Sequence, residues 1–411
     1  MKKVHQEARI ENVYQLEGRV LVGKAIPFGL QHVLAMFVAN IAPLIIIASV
    51  AVYNGQAFTT IETAQLLQNC MLIAGIGTLI QLYPIWKIGS GLPVVMGLSF
   101  TFLAACMSAA SQDYGIMVGS IIVGGIFEGI LGLSILNVGV SSFGSSSAYP
   151  LGSWQNLLVA TITLAAALVF HTTLKGVAKQ LYVLLGMLVG YVVSIFFGMV
   201  DFASMGQTIQ SLGVVAIPKL FAFKPQFQLG SILSFALVFI VSAVETIGDT
   251  TATCTGGLGR DITAEEVSGS LCVDGFISAV SGGVFGCSPI TSFSQNVGLI
   301  SMTHVVNRFT IMFGALAMIL GGLFPPIGAF FTTLPDCVLG GCTVIMFGSI
   351  MMSGVRMLQD AGMNQRNTLI AATSICLGVG ATQVDGFFDN LPSVFGEIFA
   401  GNMVAGVFVV G

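Results

Sequence analysis

Two acidic side chains in an apolar part of the chain are the first candidates for chemistry. Glu245 and Asp249 lie in the stretch VETIGDTTAT, and their spacing of four residues puts both carboxylates on one face of a helix. A carboxylate in hydrocarbon costs at least ~2.5–3.5 kcal/mol on insertion scales, so such residues are functional candidates. We expect Glu245 to accept hydrogen bonds from the N–H groups of a substrate or to carry a coupling proton, rather than only to cap a broken helix. For Asp249, a proton path and a bond to a neighbouring helix explain the residue equally well.

A second polar stretch, GCSPITSFSQNVGLISMT over residues 286–303, combines a proline with several hydroxyls and two amides. Helix breakers and polar groups are tolerated at membrane depth only where protein buries them or a cavity hydrates them. Gln295 offers one acceptor and two donors, which suits the edge of a planar ligand such as a purine or pyrimidine. The other interpretation is a bond to backbone freed by Pro289, and Asn296 has the same two options. We count Gly298 as support for this site.

A third stretch, GLPVVMGLSFTF over residues 91–102, also places hydroxyl and phenyl side chains shortly after a proline. Ser99 and Phe100 can present unpaired backbone N–H groups where a helix begins. Phe100 can also stack on a flat ring, whereas Phe293 fits core packing better. The three stretches together predict one binding site for a flat molecule with a polar rim.

Two further ionisable residues lie at expected membrane depth. His32, within FGLQHVLAMF, fits a buried donor that fixes helix packing better than it fits a proton carrier. Asp274 opens a predicted span beside Gly275, where it is either a charge at a helix N-terminus or part of a proton path.

Several function classes are excluded by what the sequence does not contain. It has no Walker loop, no HExxH and no Ser/His/Asp arrangement, so we expect no enzyme activity and no direct use of ATP. The eight cysteines lie singly without a CxxC pair, which predicts neither a metal site nor a disulfide framework. Fourteen Lys and Arg in 411 residues form no basic patch, so nucleic acid is not an expected partner. We expect no cofactor apart from a coupling ion.

The elements that position these residues must be membrane-spanning helices. The chain is 55% apolar and 8% charged with a mean hydropathy of +0.94, whereas soluble proteins are about 25% charged. The first 24 residues are polar and show no cleavable signal peptide. Segments long enough to span a bilayer, roughly 20 apolar residues each, number thirteen. They are 25–48, 64–86, 92–109, 115–137, 154–171, 180–200, 229–248, 270–286, 289–303, 308–324, 334–353, 367–382 and 396–411.

Basic residues predict the orientation, because cytoplasmic loops carry an excess of Lys and Arg. With a cytoplasmic N-terminus, 12 of the 14 basic residues fall inside. That orientation requires one more crossing between Asn137 and Trp154, where the sequence cannot span. We therefore expect fourteen spans, one of which is missing from this chain. Fourteen is twice seven, and the interrupted segments are third in each half, which indicates an inverted repeat with its site at those segments.

The same stretches resemble the nucleobase–ascorbate transporters, also called the xanthine/uracil permease family. The resemblance covers residues 24–411 and rests on QHVLAMF (31–37), GLPVVMGLSF (91–100), VETIGDTTAT (244–253) and SQNVGLISMT (294–303). The family signature begins at Gln295-Asn296-Val297-Gly298 and reaches Thr303, and His304 stands where the family has Arg, Lys or Gly. Gln295 resembles the xanthine and uric acid branch, whereas the uracil branch tends to have Glu.

The resemblance implies an all-α polytopic membrane protein of two inverted seven-helix repeats, with short strands in the third and tenth spans. It implies that Glu245 and Gln295 bind the base and that Ser99 and Phe100 add backbone contact and stacking. It also implies proton symport, a homodimer formed through the gate domain and a place in the lipid bilayer of a bacterial inner membrane. The implied divisions are a cytoplasmic segment 1–24, a core domain 25–137 and 229–324, and a gate domain 138–228 and 325–411, with the fifth span absent from the gate.

We therefore predict a proton-coupled symporter that takes up xanthine or uric acid. The alternatives are a uracil-type permease, an anion transporter of the same architecture for sulfate or bicarbonate, and a non-transporting receptor or defective copy. Anion sites at paired helix N-termini do not favour a central carboxylate, so Glu245 argues against the anion transporter.

Overall fold

The fold is mostly helical, and a computed structural model shows how the interrupted segments are arranged. The structure describes residues 13–124 except 87, 146–175 except 151, 181–345, 348, 362 and 364–382. The predicted last span, 396–411, and most of the expected fifth-span region lie outside these residues.

The described helices and strands follow one another in this order. They are α1 (Val22–Val50), β1 (Val52–Tyr53), β2 (Gln56–Ala57), α2 (Thr60–Leu82), β3 (Met96–Leu98), a 3-10 turn (Phe100–Phe102), α3 (Leu103–Gln112), α4 (Tyr114–Gly124), α5 (Trp154–Thr173), α6 (Tyr182–Phe196), α7 (Phe202–Leu212), α8 (Leu229–Ala252), α9 (Ala264–Val280), β4 (Ile290–Ser292), α10 (Ser294–Thr303), α11 (Arg308–Gly322), α12 (Pro325–Phe331), α13 (Asp336–Ile345) and α14 (Gln365–Thr382).

The long apolar helices fit a membrane. By length and composition, four helices in the described part can cross a bilayer: α2, α5, and α8 and α9 with their π-helical ends. Helices α11 and α12 form a bent pair with an angle of 83°. Apolar segments of 10–17 residues within α1, α4, α6 and α13 add to these. The prediction of a polytopic helical membrane protein is confirmed.

Two short strands interrupt the helices where the sequence predicts broken spans. β3 and β4 pair antiparallel, with Gly97 opposite Thr291 at the centre. The ladder continues beyond the strands, since Ser99 N donates to Pro289 O at 3.1 Å and Phe293 N donates to Val95 O at 3.0 Å. The prediction of an unpaired N–H at Ser99 is therefore wrong, because the strand pair extends one residue further than the sequence shows. Each strand runs directly into a helical turn, so the site is built where unwound backbone becomes helix.

Close helix packing holds the two halves of the chain together around this strand pair. Helix α11 packs on both α1 and α2, and glycines permit the approach. A Cβ at Gly314 would lie 2.6 Å from the Gly29 carbonyl oxygen, and one at Gly75 would lie 2.7 Å from the Ala315 carbonyl oxygen. Such separations admit only glycine, so these crossings fix α1, α2 and α11 as one unit.

Helix α9 begins earlier than the sequence predicts, which corrects the place of Asp274. A capping box of Thr263 and Glu266 starts the helix at Ala264, ahead of the apolar run. Asp274 therefore lies well inside α9 and cannot act as a charge at a helix N-terminus. The apolar pattern missed this first turn because it carries two glutamates.

The segment 201–228, which lies between the predicted spans 180–200 and 229–248, contains helix α7. The carboxylate of Asp201 accepts from Ala203 N and Ser204 N, both at 3.0 Å, and so caps the helix. Helix α7 packs against α12 and α2. It is too short and too polar to register as a span.

Candidate functional site: a cavity at the paired strands

A cavity lies between the strand pair and helix α8. The empty space between its walls is about 350 Å³, and part of this space is open to the outside. The predicted residues Glu245, Gln295, Ser99 and Phe100 all line it. The remaining wall residues are Leu98, Thr101, Thr291, Ser292, Phe293 and Ser294.

The Glu245 carboxylate faces this cavity and is held from both sides. Its Oε2 accepts from Thr101 Oγ1 at 2.8 Å, and its Oε1 accepts from Ser294 Oγ at 3.2 Å. Thr101 follows β3 and Ser294 begins α10, so the two interrupted segments grip one side chain. Each carboxylate oxygen keeps acceptor capacity for a further donor.

The Asp249 carboxylate lies one helical turn further along α8 and contacts the strand β4 side. Its Oδ2 accepts from Ser292 Oγ at 2.8 Å and from Ser294 Oγ at 3.0 Å. Asp249 is buried and does not belong to the described cavity wall. Ser294 thus touches both carboxylates, which joins Asp249 to Glu245 through one hydroxyl.

Asp274 extends the same polar cluster from α9. Its Oδ2 accepts from Ser292 N at 3.1 Å and from Thr246 Oγ1, while Thr246 Oγ1 lies 3.2 Å from Ser292 Oγ. Its Oδ1 is buried and has no partner in the described part of the chain. Hydroxyls therefore connect three carboxylates, those of Glu245, Asp249 and Asp274, in a continuous line.

The two amides of the signature lie side by side on α10 but face different parts of the protein. Gln295 lines the cavity, whereas Asn296 points to α1, where its Oδ1 lies 3.1 Å from His32 Nδ1. His32 is fully buried, and its Nε2 has no partner among the described residues. Asn296 thus connects the site helix to α1 rather than lining the described wall.

Gly298 lies one turn beyond Gln295 on α10. It is exposed, and a Cβ built there would meet no atom of the described residues within 4 Å. The structure thus shows no close contact within the described part that requires glycine at this position.

The sequence interpretation missed several hydroxyls that organise the site. Thr101 and Thr246 bond to Glu245 and Asp274, yet both stand in runs where Thr is an ordinary helix residue. The adjacency of Thr101 to Ser99 and Phe100 was the one available signal. Thr246 had none, because its partner lies on another helix.

Comparison with known proteins agrees with the motifs. A family model described as a permease family, for xanthine and uracil permeases, matches residues 23–140 and 123–387. The chain belongs to the nucleobase–ascorbate transporter family. The chain also shares its fold with the transmembrane domain of the cyanobacterial bicarbonate transporter BicA, at a TM-score of 0.55 and 14% identity, over 84% of this chain and 92% of that one.

Curated members of the family are similar over nearly their whole length. The xanthine permease XanQ of Escherichia coli is 30% identical, over 96% of this chain and 92% of its own. The xanthine permease of Bacillus subtilis is 32% identical, over 94% and 92%, and its uric acid permease PucJ is 34% identical, over 90% and 87%. The similar proteins are all permeases. The cavity of this family member is lined by Gln295, the first residue of the family signature.

Proposed function

We propose that the protein takes up an oxidised purine, xanthine or uric acid, across a bacterial inner membrane in symport with protons. The observation that carries the proposal is that Glu245 and Gln295, from helices in two different segments, line one cavity together with Ser99 and Phe100. The similar proteins named xanthine and uric acid permeases support the substrate class.

The chemistry of the cavity suits these bases. Xanthine and uric acid carry N–H donors and carbonyl acceptors around a flat ring system. The Glu245 carboxylate accepts from ring N–H groups, and the Gln295 amide both donates and accepts. The Phe100 ring supplies an aromatic surface against which a flat base can stack. The cavity thus offers polar groups to the rim of the base and an aromatic surface to its flat face.

Proton coupling is proposed for the line of hydroxyls and carboxylates. The Ser294 hydroxyl lies between Glu245 and Asp249. From Asp249 the line continues through Ser292 Oγ and Thr246 Oγ1 to Asp274. A hydroxyl donates and accepts at the same time, so a proton on one carboxyl can pass to the next. Substrate bound at Glu245 would then favour one protonation state of the cluster. In this way the binding of the base and the binding of the proton are coupled.

Uptake by cells tests the substrate. The full chain is expressed in bacteria that lack their own purine permeases, and uptake of labelled xanthine is measured against unlabelled xanthine, uric acid, uracil, sulfate and bicarbonate. We expect competition by the two oxidised purines only. Glu245→Gln should reduce uptake to background, whereas Glu265→Gln, at an exposed position on α9, should leave it unchanged. Uptake by Glu245→Gln at the parental rate would contradict the proposal.

Proteoliposomes test the coupling. An inward proton gradient should drive accumulation of xanthine, and an uncoupler should abolish accumulation while leaving equilibration. Accumulation driven by a sodium gradient alone would contradict proton symport. Transport of sulfate or bicarbonate by the proteoliposomes would favour the anion transporter instead. That alternative is supported only by the fold shared with BicA. The Glu245 carboxylate in the cavity argues against it.

The proposal includes the assembly and topology implied by the family. The N-terminus lies in the cytoplasm, and two copies associate through the gate domain. Support for the topology is the placement of 12 of the 14 basic residues on one side.

A further inference from the structure

The outer edges of the two paired strands raise a hydrogen-bonding problem at membrane depth. A strand pair leaves one edge of each strand without a backbone partner, and lipid offers no water to satisfy its N–H groups. In this protein each such N–H group meets a side-chain oxygen from a neighbouring helix. The contacts are Met96 N to Thr78 Oγ1 at 3.0 Å, Leu98 N to Asn40 Oδ1 at 2.7 Å, Ile290 N to Ser278 Oγ at 3.1 Å and Ser292 N to Asp274 Oδ2 at 3.1 Å.

The register makes Asn40 the counterpart of Asp274. Gly97 and Thr291 form the centre of the pair, so exchanging the strands about that centre puts Leu98 in the place of Ser292. Asn40 therefore holds β3 at the position where Asp274 holds β4. One acceptor is a neutral amide and the other a carboxyl group.

The orientation of the Asn40 amide is fixed by its other contacts. Its Nδ2 donates to Cys70 Sγ at 3.6 Å, and the Cys70 thiol donates to the Asn40 carbonyl at 3.6 Å. A Cβ at Gly97 would lie 2.8 Å from Asn40 Oδ1, so the amide packs directly on the strand. Asn40 is 3% exposed, and this leaves Oδ1 facing the Leu98 N–H.

We propose that Asn40 is a positioning residue for the substrate site. Its acceptor oxygen fixes the backbone of Leu98, and the next two residues, Ser99 and Phe100, line the cavity. A shift of β3 along this edge moves the Phe100 ring and the Ser99 backbone relative to Glu245 on the far side. Asn40 thereby sets the width of the cavity, and with it the selectivity among flat bases, without touching the substrate. The selectivity part of this inference rests on the proposed function.

A set of variants tests the role of the acceptor. Asn40→Leu removes the oxygen and leaves the Leu98 N–H buried and unpaired, whereas Asn40→Asp keeps an acceptor of the same shape. We expect Asn40→Leu to raise the KM for xanthine by about tenfold or more and to change the order of competitors, and Asn40→Asp to restore KM to within about threefold of the parent. Asn69→Leu is the matched control, because Asn69 is an equally buried amide whose bonds go to the Lys219 and Phe285 carbonyls instead.

A measurement without substrate separates this inference from the proposed function. Hydrogen–deuterium exchange of the purified chain should show faster exchange in the segment 96–102 for Asn40→Leu, and parental exchange there for Asn69→Leu. If the parent transports no purine but this exchange pattern holds, the positioning role stands and the proposed function fails.

Two outcomes would overturn the positioning role. One is an Asn40→Leu variant with lower yield but parental KM, competitor order and exchange at 96–102. The other is an Asn40→Asp variant as impaired as Asn40→Leu, since the acceptor would then not be what matters. If Asn40→Leu does not fold, Thr78→Val and Thr78→Ser test the same edge through Met96 N, and Thr78→Val alone should raise KM.

Discussion

The Glu245 carboxylate is held by one hydroxyl from each interrupted segment, and this arrangement decides how it meets a ligand. Thr101 Oγ1 and Ser294 Oγ fix the plane of the carboxylate at 2.8 and 3.2 Å. Removing one donor frees the side chain to rotate and removes a bond to a charged acceptor. A fixed carboxylate loses less entropy on binding than a mobile one, which favours affinity.

Thr101→Val should therefore weaken substrate binding. A hydrogen bond to a charged group contributes about 1.5–3 kcal/mol, so we expect KM for xanthine to rise by about tenfold or more. Thr101→Ser keeps the hydroxyl and should stay near the parental value. Equal KM values for Thr101→Val and the parent, at equal amounts of protein, would show that the bond does not orient Glu245 for binding.

Gln295 gives a second prediction at this scale. Gln295→Glu removes both amide donors and places a second carboxylate in a cavity that already contains Glu245. We expect xanthine affinity to fall by about tenfold or more, because the base loses the donor to its carbonyl and two like charges share one site. Binding of labelled xanthine to the purified variant measures this, and unchanged affinity would place the base elsewhere.

The paired strands are the element on which the site depends, and Gly97 shows how tightly they are packed. A Cβ there would lie 2.8 Å from each of three neighbours: Asn40 Oδ1, Met36 Cε and Phe293 Cδ2. A methyl group would have to push the strand away from α1 or from β4. Either displacement also moves Ser99 and Phe100.

Gly97→Ala should therefore reduce xanthine uptake strongly, with a lower melting temperature in detergent. Overpacking in a well-packed interior costs typically 1–3 kcal/mol. Gly298→Ala is the comparison, because a Cβ there meets nothing within 4 Å in the described part of the chain, and it should keep the parental melting temperature. A Gly97→Ala variant with parental stability and uptake would contradict the packing argument.

The ion pair at the first turn of α9 allows a pH test. Arg260 donates from both terminal nitrogens to the Glu266 carboxylate, at 3.0 and 2.5 Å. Protonation of this carboxylate in acid removes the charge to which Arg260 bonds, so the contribution of the pair to stability is present at neutral pH and is lost as pH falls. Glu266→Gln should therefore melt below the parent at neutral pH, and the difference should shrink in acid. A difference independent of pH would contradict the ion pair.

The sequence predicted which stretches the fold brings to one cavity but not the bonds inside it. Glu245, Gln295, Ser99 and Phe100 were singled out because polar or interrupted sequence stands out against apolar spans, and all four line the cavity. Thr78, Asn40 and Ser278 were missed because their bonds reach a strand that is close only in the folded chain. The start of α9 was misplaced for a local reason, since its capping box lies in polar sequence.

At the scale of the whole molecule, the count of membrane crossings remains the main prediction. The positive-inside bias demands a crossing between Asn137 and Trp154 that the sequence there cannot make. The match to XanQ extends over 439 residues, more than the 411 of this chain, so the relative contains stretches without a counterpart here. The family model also matches this chain in two pieces, and the two pieces overlap over residues 123–140.

We predict one of two arrangements for the genomic DNA between the codons for Asn137 and Trp154. Either it contains an apolar segment of roughly 20 codons that this sequence lacks, or the gene itself has lost that segment by a deletion. Sequencing this region distinguishes the two. In the case of a deletion, inserting the missing span should raise uptake and the fraction of dimer in detergent. Reporter fusions at 137 and 154 of the chain as it stands should fall on opposite sides if the crossing is made, and on the same side if it is not.

The strand pair also has a consequence for how the protein is made. β3 emerges from the ribosome long before β4, and until β4 arrives the ladder groups of β3 have no partner in the bilayer. We therefore expect the first half to remain against the insertion machinery or in a hydrated crevice until the second half is inserted. An expressed first half alone should be degraded rapidly, and co-expression of the second half should rescue it. We thus expect the insertion of β4 to complete the cavity as one of the last steps in the synthesis of the protein.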